Sequence, residues 1–256
     1  MKKKNVKEAK VSNKTNTFKL KEEQTKGLLA VILVIVIIVG GVIGYEYKEG
    51  KIGKKSYSSE YVPTKDEKEF KKSYEELNGK EDYIELKIDK NNNVNIIDLQ
   101  KASDIIDGDT GVILFGYPES NDARLAVKSL LQAASNSGLD KFNYVSLKVD
   151  GNDIRDLFVL NKKNKAEVSV KASETYSKVL ISLANYLNDY VLVTDSGKTV
   201  STGEKRLEDG TVVFVKDGEV LGVVIPGENS YEDLVNKDTN LIMEYNGEAC
   251  TPTSGC

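Results

Sequence analysis

Two cysteines, Cys250 and Cys256, are the only thiols in this 256-residue chain, and the chain contains neither His nor Trp. Thiol–disulfide chemistry is therefore the one nucleophilic chemistry that its cysteines advertise. Five residues separate the pair, and Pro252 and Gly255 among them help bend the chain, so a local disulfide is sterically open. Three readings stand side by side: a mobile redox pair, a clip on the tail, or two unpaired surface thiols. The missing His removes Ser-His-Asp hydrolysis, His-ligated zinc and imidazole acid–base catalysis. Two Cys are too few for a thiolate-rich metal site. Asp89, Asn91, Asn93 and Gln100 fall at positions 1, 3, 5 and 12 of a calcium loop. Val94 replaces its required Gly and Gln100 its bidentate Glu, so the stretch reads as a polar turn. No metal and no cofactor are expected.

What must position any such chemistry begins with a membrane anchor. Residues 27–45 are nineteen residues without a charge, long enough as a helix to span roughly 30 Å of hydrocarbon. The preceding 26 residues hold nine Lys against three Glu, whereas 46–55 holds four Lys and two Glu. The more basic flank belongs in the cytoplasm, which puts the C-terminal side outside a cell envelope, most simply a bacterial one. A cleaved signal peptide has a shorter apolar region than this, and the run contains no Cys for lipid attachment. The expected organisation is a basic cytoplasmic tail (1–26), a transmembrane helix (27–45), a linker (46–63), an extracytoplasmic domain (64–249) and a Cys-containing tail (250–256). Beyond Lys26 the chain carries a net charge of about minus ten, which argues against nucleic acid as a partner.

Within the domain, Thr64 and Glu67 have capping-box spacing, and Phe70, Tyr74 and Leu77 follow on one helix face before Asn78-Gly79. Tyr83–Ile88 alternates as a strand, and Val94–Ile97 resumes after an Asn-rich turn. Asp98–Asp107 reads as a helix, and Gly111–Tyr117 as a strand buried on both faces. A helix from about Asp122 to Ser137 follows, with Ser120 or Asn121 able to cap it. Phe142–Val149 reads as a strand and Ser173–Tyr190 as a helix. Thr211–Val215 and Val220–Ile225 flank an Asp-Gly turn, and Ser230–Tyr245 forms a last helix. Residues 154–172 are harder to assign: Leu157, Phe158, Val159 and Leu160 are apolar, Lys162-Lys163-Asn164-Lys165 reads as a turn before a strand at Ala166–Val170, and the apolar residues mark either a core-facing element or an exposed partner surface. The order implies an α/β fold, a mixed central sheet with helices on both faces.

VILFGYPESNDARLAVKSLLQAA at 112–134 and TVVFVKDGEVLG at 211–222, in this order of elements, resemble the thioredoxin family over roughly residues 94–245. The resemblance implies a thioredoxin-like fold. It also implies that two Cys spaced two residues apart should sit where the buried strand turns into its helix, where the helix N-terminus stabilises a thiolate. Ser120 and Ala123 occupy those places here. Gly210 stands where the family's cis-Pro precedes Thr211, so the substrate-facing loop lacks its rigid turn.

The resemblance therefore implies a degenerate active site with no catalytic residue of its own. Ser120, Asn121, Asp122, Gly210 and Thr211 would then line a surviving groove for a peptide or anion, although a plain capped helix start is the simpler account of 120–122. The leading expectation is a single-pass, extracytoplasmic thioredoxin-like module that binds or scaffolds an unidentified envelope protein or peptide. The alternative is a divergent thiol-disulfide oxidoreductase that uses Cys250 and Cys256.

Overall fold

A computed structural model describes residues 62–227 and 229–247 of the chain. The basic tail, the anchor, nearly all of the linker and Cys250 and Cys256 lie outside the described residues. Among the described residues, no helix is long and apolar enough to cross a membrane.

The domain opens with α1 (Lys65–Glu75), where Thr64 and Glu67 form the reciprocal capping box that their spacing predicts. There follow β1 (Val94–Ile96), α2 (Leu99–Gly108), β2 (Gly111–Gly116), α3 (Asn121–Ser137) and β3 (Phe142–Ser146). A stretch of hairpins and one helix comes next: β4 (Lys148–Val149), β5 (Asn152–Asp153), β6 (Leu157–Leu160), β7 (Ala166–Val170), α4 (Glu174–Leu183), β8 (Asp189–Val193) and β9 (Thr199–Lys205). The chain closes with β10 (Thr211–Lys216), β11 (Glu219–Val224) and α5 (Tyr231–Tyr245).

Five strands form the central sheet in the order β1-β3-β2-β10-β11. β1, β3 and β2 are parallel, and β10 runs antiparallel to both β2 and β11. The architecture is a mixed α/β sheet flanked by helices, a coarse match to the topology that the resemblance implies. Alternation along β2 divides the core: Val112 and Leu114 face α1, α3 and α5, while Ile113 and Phe115 face α2 and α4. All four are fully buried, which explains why β2 carries no polar residue. Each such burial contributes roughly 1.5–3 kcal/mol relative to exposure.

Two expectations are corrected. Tyr83–Ile88 is extended and inserts Leu86 and Ile88 into the core, yet it pairs with no strand. The helix expected to Tyr190 ends at Leu183, and Asp189 and Tyr190 begin β8, a strand the sequence reading missed. Leu187, which the helical spacing had claimed, is buried all the same, so one apolar period served two conformations. Within 154–172 the strand expected at Ala166–Val170 is β7, paired with β6 in a hairpin across the expected turn. Val159, Val168 and Val170 on it are exposed, so part of its apolar character faces solvent.

α3 and α5 pack together through an unusual pair. Asp238 is fully buried, accepts a hydrogen bond from the Ser129 hydroxyl at 2.9 Å, and leaves its other carboxylate oxygen without a partner. Burial pushes its pKa up to about 7, against a small opposing effect of the Ser129 bond. The folded state thus holds a proton that the unfolded chain releases near pH 4, so stability falls as pH rises from about 4 to about 7. Asp238→Asn removes this dependence. Urea unfolding followed by tyrosine fluorescence should find the variant more stable than the parent above pH 7, by on the order of 3 kcal/mol, with the two converging near pH 4.

Candidate functional site

The start of α3, the turn that leads into it and the loop before β10 meet at one place. β2 ends at Gly116, the chain turns through Tyr117, Pro118 and Glu119, and Ser120 caps α3 by accepting the Ala123 amide at 3.3 Å. Ala123 is buried against Gly116, where an added Cβ would lie 2.8 Å from the Ala123 Cβ. Gly210 bonds through its amide to the Phe115 carbonyl at 2.8 Å, which draws the loop onto the end of β2. Its φ is +83°, and a Cβ there would come within 2.6 Å of the Asp122 carbonyl oxygen. Only glycine satisfies both the left-handed backbone and that approach. Thr211 is buried and its hydroxyl donates to the Glu208 carbonyl at 2.7 Å.

The residues singled out from the sequence therefore do converge, but most are occupied. Ser120 is spent on capping. Asn121 is a clamp: its Oδ1 accepts from the Ile84 amide at 2.9 Å and its Nδ2 donates to the Asp82 carbonyl at 2.6 Å. Thr211 points inward. Asp122 is exposed and its carboxylate makes no hydrogen bond among the described residues, and partial desolvation, with the charges of Asp209 and Glu208, raises its carboxyl above the ordinary value. This acidic neighbourhood disfavours an anion at the helix start.

Sequence reasoning missed two buried arginines that hold the surroundings. Arg155 is 3% exposed and bonds Asp153 and Asp209 at 2.6 Å each and the Leu207 carbonyl at 2.9 Å. Burial alone would lower its pKa, but the paired charges of Asp153 and Asp209 outweigh that and raise it. Asp209 also stands beside Tyr117, whose hydroxyl is pushed up to about 12 by burial and by that carboxylate. The Lys148 ammonium lies 3.9 Å from the Tyr117 ring centroid, and Arg206 stacks 4.3 Å from that of Tyr190. Arg155 thus ties the loop before β10 to the segment after β5. Beside it, a groove of about 730 Å³ crosses the ends of β1 and β3, and none of Ser120, Asn121 and Asp122 lines it.

Arg124, one turn into α3, is fully buried and has no carboxylate within salt-bridge reach. Its guanidinium donates to the carbonyls of Ile84, Tyr74 and Pro118 and to the Asn78 side-chain oxygen. One signal could have found these residues: only three of the chain's 36 basic residues are Arg, at 124, 155 and 206. A chain that uses Lys almost everywhere reserves Arg for places that need a planar, five-donor fork.

No family model matches this chain, and no curated protein matches it. Among the described residues, no group of three or more acidic or Cys side chains could hold a metal ion.

Two substitutions test the geometry. Gly210→Ala should destabilise the domain by about 2–4 kcal/mol in denaturant unfolding, from positive-φ strain plus the overlap with α3. Arg124→Lys should cost about 2–4 kcal/mol, because an ammonium cannot reach acceptors spread around a planar fork. Amide exchange at Ile84 and Leu86 should accelerate in that variant more than exchange in β2.

Proposed function

We propose that this chain is a membrane-anchored, extracytoplasmic thioredoxin-like domain that has lost thiol chemistry and serves as a protein-binding or scaffolding module of a cell envelope. The anchor rests on the apolar run 27–45 and its basic N-terminal flank. The thioredoxin-like reading rests on the two motifs in the sequence, and the mixed five-stranded sheet is in keeping with it.

The observation that carries the loss of chemistry is the contact of Gly210 with the first turn of α3. Ser120, Ala123 and Gly210 come together as an active site would require, yet the place holds a cap, a methyl group and a backbone approach in place of nucleophiles. A Ser hydroxyl is far too weakly acidic to act as a thiolate, and Ala offers nothing. With the helix start closed by the loop, what remains for function is surface.

The purified full chain in detergent should not accelerate reduction of a model disulfide by dithiothreitol above the buffer rate. Exchange activity that is abolished by Cys250→Ser and by Cys256→Ser would overturn the module reading and establish the tail pair as a redox centre.

A further inference from the structure

The extended segment 83–88 has its main chain satisfied on one side only. The Ile84 amide bonds Asn121 and its carbonyl bonds Arg124; both groups of Leu86 bond the Asn78 side chain. The Ile88 amide bonds Glu75 and its carbonyl bonds Lys71. Every second residue is thus held as if by a neighbouring strand, but side chains of α1 and α3 and Asn78 take the strand's place. The intervening residues, Glu85 and Lys87, are exposed, and among the described residues their amides and carbonyls make no protein hydrogen bond. Two amides and two carbonyls at strand spacing, pointing away from the satisfied side, form the free edge of a one-strand sheet.

That edge borders a groove of about 770 Å³ that Glu75 and Asp89 also line, and whose other wall is Lys128, Leu131 and Gln132 of α3 and Tyr231 of α5. We infer that this groove takes an extended peptide from a partner protein, added antiparallel along Glu85–Lys87, with an acidic residue opposite Lys87, an apolar residue over Leu131 and a basic residue opposite Glu85. Antiparallel pairing lets each facing residue exchange both main-chain bonds with Glu85 or Lys87. Side chains alternate along the entering strand, so the residue between the facing pair turns down onto α3. Among the described residues Glu85 and Lys87 make no salt bridge, although Lys87 is near enough to help lower the Glu75 pKa, so their opposite, exposed charges set the order of charges in the partner. Main-chain bonds supply affinity in this mode, and alternate side chains supply selectivity.

This inference rests on the binding-module reading and names its partner. The probe is a fluorescently labelled heptapeptide, Thr-Val-Glu-Val-Lys-Val-Thr, titrated into the full chain in detergent. It should bind saturably and slow amide exchange at Glu85 and Lys87. N-methylation of the probe's Glu and Lys amides should weaken binding about tenfold or more, the loss expected for two hydrogen bonds of about 1 kcal/mol each. Lys87→Pro removes one edge amide while sparing the bonds of Leu86 and Ile88, and should also weaken binding several-fold. A probe with Glu and Lys exchanged should bind less tightly, and Glu85→Lys with Lys87→Glu should reverse that preference. Equal binding of the methylated probe, or no saturable binding up to millimolar concentration, would overturn the inference. It would equally fall if both amides are protected without probe and become exposed on removal of residues 248–256, since the chain's own tail would then be the occupant. A silent probe removes the edge site alone, whereas thiol exchange would remove the module reading.

Discussion

The burial of Arg124 is the constraint around which the N-terminal third of the described domain is built. An ionised guanidinium withdrawn from water costs several kcal/mol unless its donors are satisfied, and here no carboxylate shares the burden. Four oxygen acceptors do so instead: three main-chain carbonyls and the side chain of Asn78. Three of those acceptors lie in α1 or in the segment that follows it. Were α1 and residues 77–88 to detach, the charge would be left half-satisfied at the start of α3. Burial pulls the Arg124 pKa down, but guanidinium is basic enough to stay charged through the physiological range. The penalty for separating the parts is therefore always present, which couples the N-terminal extension to the α/β core more firmly than its apolar contacts alone would.

That coupling shapes the extended segment. Once Arg124 and Asn121 hold Ile84, and Asn78 holds Leu86, the backbone is fixed in a strand conformation without a strand beside it. Glu75 and Lys71 extend the pattern to Ile88. Other side chains of α1 bond the backbone at β1: the Asp66 carboxylate accepts the Ile96 amide, and Glu67 accepts the Asn93 amide. The β1 edge is blunted by α1, whereas the edge at Glu85 and Lys87 is left bare. Exposed edges are normally suppressed because they invite pairing. A bare edge carrying one charge of each sign is selective about what it invites.

Much of the fold was legible because local chemistry and tertiary position agreed. The Thr64/Glu67 box, the Ser120 cap, the apolar run of β2 and the Asp217-Gly218 turn each specify an element without help from distant residues. The failures share one cause, a pattern that fits two structures. Tyr83–Ile88 alternates as a sheet strand does, and nothing in its own residues reveals that its neighbours are side chains of α1 and α3. Tyr176 to Tyr190 keeps a helical apolar period past the point where the chain leaves the helix at Leu183. At the candidate site, Ser120, Ala123 and Gly210 could be aligned from their spacing, but their closure depends on the approach of Gly210 to Asp122, which is a property of packing across 88 positions of sequence.

The two buried arginines divide the site between them. Arg124 fixes the helix start from the side of the N-terminal extension, and Arg155 fixes the loop before β10 through Leu207 and Asp209. Between these fixed points Gly210 needs no proline to hold its course, since its amide is pinned to Phe115 and its α-carbon is pressed against α3. A rigid packing contact thus holds the loop before β10 against the start of α3. The bare edge at Glu85 and Lys87 exists because Asn121 and Arg124, from the first turn of that same helix, hold Ile84. One helix start therefore accounts for both the closed loop contact and the open edge.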